Sequence, residues 1–281
     1  TAFEGFWNTW GCHRDNLMVV VAGSANSWIQ AKFIDTHGGL YGRTTYEVKL
    51  APFTLKECEN FLKSKKIRMS RYDIVQSYMM LGGIPYYLGY FKKELSLAQN
   101  IDLLFFANQP KLRKEYDRLF SSVFTTPEDM KAIVHLLGTR HSGFTRQEIL
   151  KDLKIDDSGS FSDKLEALEA SDFITHYIPF GKGKRDMKYK LIDPFCIFYK
   201  KYVAGNNGLD PEFWSHNQNS QSIVSWRGIA FEEVCFKHCR QIKRALGIAG
   251  VASEQMSWTF AGDDDMEGAQ IDLLIKRNDN V

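Results

Sequence analysis

Residues 19–28, VVVAGSANSW, begin with a β-branched apolar run and end abruptly in small polar side chains. Together with Leu17 and Met18, residues 17–22 form a continuously apolar segment, the pattern of a strand covered on both faces by crossover helices, and this predicts an α/β fold. At the tip of such a strand Ser24 and Asn26 would face a ligand. Ser24, Asn26 or Ser27 would serve equally well as a helix N-cap. Downstream, only Thr44 to Leu50 reads as another strand before a helix begins near Thr54, so most of the sheet is expected before Thr1. The chain opens on Thr rather than Met and stops at Val281, where a new strand would start, and further residues are expected on both sides.

The 281 residues are 44% apolar and 14% aromatic, ample for packed cores. Thirty-six Lys and Arg face 34 Asp and Glu, and a net charge of +2 supplies no global field for a polyanion. Five cysteines without scaffold spacing, and no charged-then-apolar leader, point to a reducing, cytoplasmic setting. The apolar runs are far shorter than the roughly 20 residues of a membrane helix, so no membrane contact is expected.

Residues 71–107 read as helical with a break at Gly82-Gly83-Ile84-Pro85. From Thr126 the helical period is clear: Met130, Ile133, Val134 and Leu137 make one stripe, Thr145 and Glu148 form a capping box before Ile149, Leu150 and Leu153, and a third helix spans about Ser160 to Ala170. Strands at 173–179 and 187–192 flank a basic loop, which completes the pattern of a winged helix. Arg140, His141, Arg146, Lys151 and Lys154 surround its helices, and Lys182, Lys184, Arg185, Lys188 and Lys190 crowd its hairpin. The third helix carries Asp163, Glu166 and Glu169 against Lys164 alone, a poor DNA reader, so the hairpin is the better nucleic-acid contact and protein docking the competing use. Residues 204–222 are polar and read as a linker, followed by a long helix from Trp226 to about Leu246 and an alternating strand from Ala269 to Ile275.

The runs VVVAGSANSWIQAKF (19–33), HGGLYGRTTYEVKLAPFTL (37–55) and LGGIPYYL (81–88) strongly resemble a bacterial and archaeal family of AAA+-like ATPases of the signal-transducing branch. WRGIAFEEVCFKHCRQIKRALGI (226–248) and GAQIDLLIKRNDNV (268–281) resemble the last domain of the same family. The resemblance implies a P-loop core over 1–53, a helical lid and connector over 54–120, a winged helix over 121–203, a linker over 204–225 and a restriction-endonuclease-like domain over 226–281. It implies ATP with Mg2+ as cofactors, and a nucleotide-dependent switch that acts on a protein client, on DNA or on further copies of itself. By the same resemblance Ser24 to Asn26 match the first sensor beside the phosphates, Arg43 an arginine that neutralises developing charge, and Gly83 and Pro85 an element near the adenine. A surface arginine after a glycine turn and a plain helix break are the competing readings.

The chain departs from the family in one respect: residues 1–281 contain no Gly-x-x-x-x-Gly-Lys-Ser/Thr loop, and no apolar strand ends in a paired-acid magnesium site. These residues alone therefore cannot hydrolyse ATP, and the phosphate-gripping loop is expected upstream. In the last domain Glu232 matches the helix carboxylate and Asp272 the strand aspartate of metal-dependent nucleases, with Asp272 as the metal ligand. The Glu-x-Lys strand that would complete that site is absent from these residues. Glu232 and Glu233 as helix surface, and Asp272 paired with Lys276 or Arg277, are the alternatives. Cys235, His238 and Cys239 lie on one helix without a second ligand cluster and read as packing residues rather than a zinc site.

Overall fold

A computed structural model of the chain describes residues 2–23, 42–260, 262 and 266–279. Ser24 and Asn26 lie outside the described residues. The fold is mixed α/β, with helices dominating and two small antiparallel sheets. No helix among the described residues is long and apolar enough to cross a membrane.

Helix α1 (Ala2–Thr9) precedes the apolar segment 17–22, where the structure departs from the expected strand. Residues 17–23 are not a strand, and Met18 and Val20 are 85% and 77% exposed. Residues 44–50, the second expected strand, are likewise without regular structure or ladder partners, with Tyr46 and Leu50 exposed. An apolar, β-branched run encodes burial only where other strands and helices meet it; among the described residues none pairs with it, and the strands that are described pair antiparallel rather than parallel.

The helical body starts with α2 (Leu55–Ser64) and α3 (Arg71–Leu81), and continues through α4 (Pro85–Leu88) to α5 (Leu97–Phe105). Thr54 with Glu57 and Ser96 with Gln99 make complete capping boxes at the starts of α2 and α5, which satisfy N–H groups that helix geometry leaves orphaned. Residues Ile74 and Gln76 to Leu81 of α3 are buried, as expected of a helix enclosed by others. Its end is fixed by Gly82, at φ +64°, and by Gly83, against which the backbone of Phe53 packs.

Helices α6 (Glu115–Val123), α7 (Pro127–Leu137), α8 (Arg146–Leu153) and α9 (Gly159–Ala170) follow, with strand β1 (Phe144–Thr145) before α8. Met130, Ile133, Val134 and Leu137 are buried as the period predicted, and Thr145 and Glu148 cap α8 as expected. Strands β2 (Ile174–Tyr177) and β3 (Lys188–Leu191) complete a three-stranded sheet in the order β1-β3-β2. Tyr189 at its centre stands opposite both Phe144 and His176.

Next comes α10 (Pro194–Phe198), which runs on into a π-helical turn, Tyr199–Val203, and packs on α3. The polar stretch read as a linker contains α11 (Phe213–Asn217), whose Trp214 is fully buried. The expected long helix is two: α12 (Gln221–Lys237) begins five residues before Trp226, and the chain turns at His238 into α13 (Cys239–Ala245). Strands β4 (Ser253–Phe260) and β5 (Ala269–Arg277) form the second sheet, with a register shift between Met256 and Trp258. Buried residues from Cys58 to Val234 join in one continuous core. Phe198, Tyr202, Trp214 and Trp226 meet edge to face at its centre, with Trp214 and Trp226 6.1 Å apart at 88°.

Asp102 of α5 anchors the polar stretch to this core. Its carboxylate accepts from the Trp214 N–H (2.7 Å), the Ser215 N–H (3.0 Å) and the Ser215 hydroxyl (2.5 Å), and so caps α11 from another helix. Burial raises its pKa, outweighing these hydrogen bonds, which lower it. Asp102→Ala would leave two backbone donors unpaired in the interior and is expected to cost about 2–3 kcal/mol. Urea unfolding followed by tryptophan fluorescence checks this.

Candidate functional site on helix α12

Helix α12 turns Ile223, Trp226, Ala230, Glu233 and Val234 inward, a stripe at helical spacing in which one position is a carboxylate. Glu233 is 5% exposed, and a charge so placed must be neutralised. Lys190 of β3 does so, with Nζ 2.6 Å from Oε1 of Glu233. The same ammonium lies 4.6 Å from the centre of the Phe236 ring and 5.7 Å from that of Tyr177. The strand period explains the arrangement: Tyr189 and Leu191 are buried, while Lys190 projects from the opposite face of β3 toward α12.

Glu232 lies beside this pair. Its Oε2 is 3.0 Å from Nε2 of His141, and the same nitrogen is 3.8 Å from Glu233. Burial raises the Glu232 pKa; the negative charges of Asp272 and Glu233 add to the rise, and His141 opposes it. The two carboxylates that the sequence singled out, Glu232 on α12 and Asp272 on β5, lie on elements that pack against each other. Asp272 is exposed and accepts from Gln270 Nε2 at 2.5 Å; neither Lys276 nor Arg277 pairs with it, and Arg277 pairs with Asp279.

These residues do not by themselves fit a magnesium ion. Mg2+ demands several oxygens in near-octahedral array, whereas one Glu232 oxygen is engaged by an imidazole. No group of three His, Cys, Asp or Glu side chains among the described residues could hold a metal ion.

The nucleotide residues fit an ATP pocket no better. Arg43 is exposed in a segment without regular structure. Gly83 has a packing reason to be glycine: Phe53 N–H donates to its carbonyl at 2.7 Å, and a Cβ on it would lie 1.9 Å from the Phe53 oxygen. Pro85 occupies the first turn of α4, where its missing N–H costs nothing. Two clefts of about 430 and 410 Å3 open elsewhere, one at Lys131, His135 and Lys200, the other beside α13; neither is lined by Arg43, Gly83 or Pro85. In the first, burial pushes the Lys200 ammonium down to about 8, and its charge in turn lowers the pKa of the neighbouring His135.

Much of the basic character expected of the winged-helix region is spent internally. Arg140 pairs with Glu148 at 2.6 Å and covers the Phe144 ring, Arg146 pairs with Asp157 at 2.5 Å, and Lys164 pairs with Asp129 at 2.8 Å. The Thr145 N–H, followed by Arg140, holds the Glu148 carboxyl down at about 2. Lys182, Lys184 and Arg185 at the hairpin tip remain exposed.

His238 is a packing residue, as expected, and it also holds two helices together. Its Nε2 accepts from the Leu55 N–H at 3.0 Å and its Nδ1 lies 2.8 Å from the Val234 carbonyl, which fixes the neutral tautomer with the proton on Nδ1. The sequence signal for Glu233 was its place on the stripe of Ile223, Trp226 and Ala230; its partner, 43 residues away, left none.

Glu232→Gln tests the electrostatics. The folded pKa of Glu232 is raised, so its charged form is penalised and its contribution to stability falls as pH rises from below the ordinary 4.5 through the raised value. The variant is therefore expected to gain stability relative to the parent on going from pH 4 to pH 7, as read by urea midpoints across that range.

Comparisons of the chain with protein-family models, with curated proteins and with solved structures find no match.

Proposed function

We propose that residues 1–281 are the transmitting part of an ATP-binding molecular switch of the AAA+-like, signal-transducing type. On this reading α2 to α6 form the lid and connector, α7 to α9 with β1 to β3 form a winged helix, and α12 onward begins a restriction-endonuclease-like domain. The observation that carries it is that α12 and the turn that follows it grip two of these units at once. Glu233 holds the hairpin through Lys190, Glu232 holds the turn before β1 through His141, and His238 accepts from the first N–H of α2. A displacement of the lid at α2 then reaches the hairpin through a single rigid helix. ATP and Mg2+ would be gripped mainly by residues that this sequence does not contain, with Ser24, Asn26 and Arg43 as its own contributions.

Hydrogen exchange on the intact protein with and without ATP and Mg2+ tests the reading. Protection of α12 and of the hairpin is expected to change together, and Lys190→Met/Glu233→Met, which replaces the ion pair by apolar bulk, to reduce the hairpin response while that of α12 persists. An intact protein that binds no ATP, or a hairpin indifferent to it, would overturn the switch and favour a non-catalytic interaction protein.

A second reading, metal-dependent cleavage of nucleic acid by the last domain, is favoured by one observation: the helix that carries Glu232 packs against the strand that carries Asp272. It predicts that the intact protein cleaves DNA or RNA with Mg2+ or Mn2+ and that Asp272→Ala lowers the rate at least a hundredfold. Absence of cleavage across varied substrates would sink it.

A further inference from the structure

We infer that the cleft between α13 and β4 binds the phosphate backbone of a nucleic acid. Lys237, Arg240, Lys243 and Arg244 line one side of this cleft, and Ser253 and Gln255 the other. Arg240 and Arg244 are one turn apart on α13, so their cations share one face about 6 Å long, and Lys237 at the end of α12 lines the same cleft across the turn at His238. That face spans about two nucleotides of one strand, at about 3.4 Å each, and with Lys237 and Lys243 beside it the cleft offers more cations than a single phosphate group needs.

The charges are available. Among the described residues no carboxylate lies within ion-pair distance of Lys237, Arg240 or Arg244, in contrast to Arg140, Arg146, Lys164 and Lys190, each of which has an acidic partner. Lys243 spends one N–H on the Val251 carbonyl at 3.2 Å and keeps two. Strand alternation excludes acid from the opposite wall, because Ser253 and Gln255 project to one face of β4 while Glu254 projects to the other, opposite Lys276. Arg277, across the ladder from Ser253, is neutralised by Asp279 and adds no charge to the site. A row of guanidinium and ammonium donors facing a hydroxyl and an amide suits phosphodiester oxygens, which accept from both walls.

This inference is independent of the ATP reading, and it concerns binding alone. Fluorescence anisotropy of labelled 20-nucleotide single-stranded DNA, duplex DNA and RNA is measured with the intact protein in EDTA, so that cleavage plays no part. The parent protein is expected to bind at least one of these at 50 mM salt, with affinity falling steeply toward 200 mM. Arg240→Ala/Arg244→Ala, two exposed positions, is expected to lower affinity at least tenfold and to reduce the slope of log K against log salt by about 1.5–2. Arg240→Lys/Arg244→Lys is expected to keep most of that slope, which separates lost charge from lost fold, and Lys182→Ala/Arg185→Ala at the hairpin tip to bind as the parent does. The inference is overturned if no nucleic acid binds at 50 mM salt, if the Arg240→Ala/Arg244→Ala variant binds like the parent, if the loss follows the hairpin instead, or if polyglutamate competes as well as DNA.

Discussion

Burying a carboxylate on the core stripe of α12 is the constraint from which the rest of the arrangement follows. An uncompensated charge at Glu233 would cost about 3–5 kcal/mol, a large fraction of the stability of an ordinary domain. The chain meets the constraint by bringing β3 against α12 so that Lys190 arrives at 2.6 Å. Because β3 also pairs with β1 and β2, the whole three-stranded sheet is positioned by that contact. One face of β3 serves the core beneath its own sheet through Tyr189 and Leu191, and the other face serves α12. A slip of one residue would exchange the two faces and bury Tyr189 where the ammonium is required. The ion pair thus specifies register and orientation; apolar groups of similar size would contribute comparable stability without that directional demand.

Asp102 works by the same logic at a second joint. A buried acid on α5 is tolerated because α11 supplies three donors to it, and α11 is drawn out of an otherwise polar stretch to do so. Once α11 is seated, Trp214 reaches Phe198, Tyr202 and Trp226, and the helical body and α12 share one aromatic centre. In both cases the polar group fixes direction and apolar packing supplies most of the free energy.

What was legible in the sequence was what a local period encodes. The stripe of α7, the Thr145–Glu148 box, the hairpin strands and the break at Gly82 to Pro85 all rest on neighbours within a few residues, and all are found. Residues 17–22 form no strand because an apolar composition does not itself bury a segment, which only distant partners can do. The positive patch is smaller than the sequence suggests for a related reason: Arg140, Arg146 and Lys190 look free in sequence and are each claimed by an acid, at separations of 8 to 43 residues. Glu232 and Asp272 were legible as a pair only through resemblance, since nothing in their spacing brings α12 against β5. Residues 204–222 read as a linker because Gly, Asn and Ser dominate there, and the single tryptophan that fixes the segment was outvoted by composition.

Glu232 is where the two functional readings compete for the same atom. The oxygen that His141 engages is one that a metal ion would need, so the helix cannot hold the turn before β1 through this residue and present a complete ligand to an ion at once. Burial and the nearby charges of Asp272 and Glu233 make the free carboxylate costly, and either an imidazole or a cation would relieve that cost. In the described arrangement the imidazole provides the relief, and the second ion pair, between Lys190 and Glu233, keeps the hairpin seated whichever partner Glu232 takes. A cation arriving at Asp272 would therefore have to displace His141 without undocking β3, and the cost of that exchange is set by one hydrogen bond of 3.0 Å rather than by the unfolding of an interface.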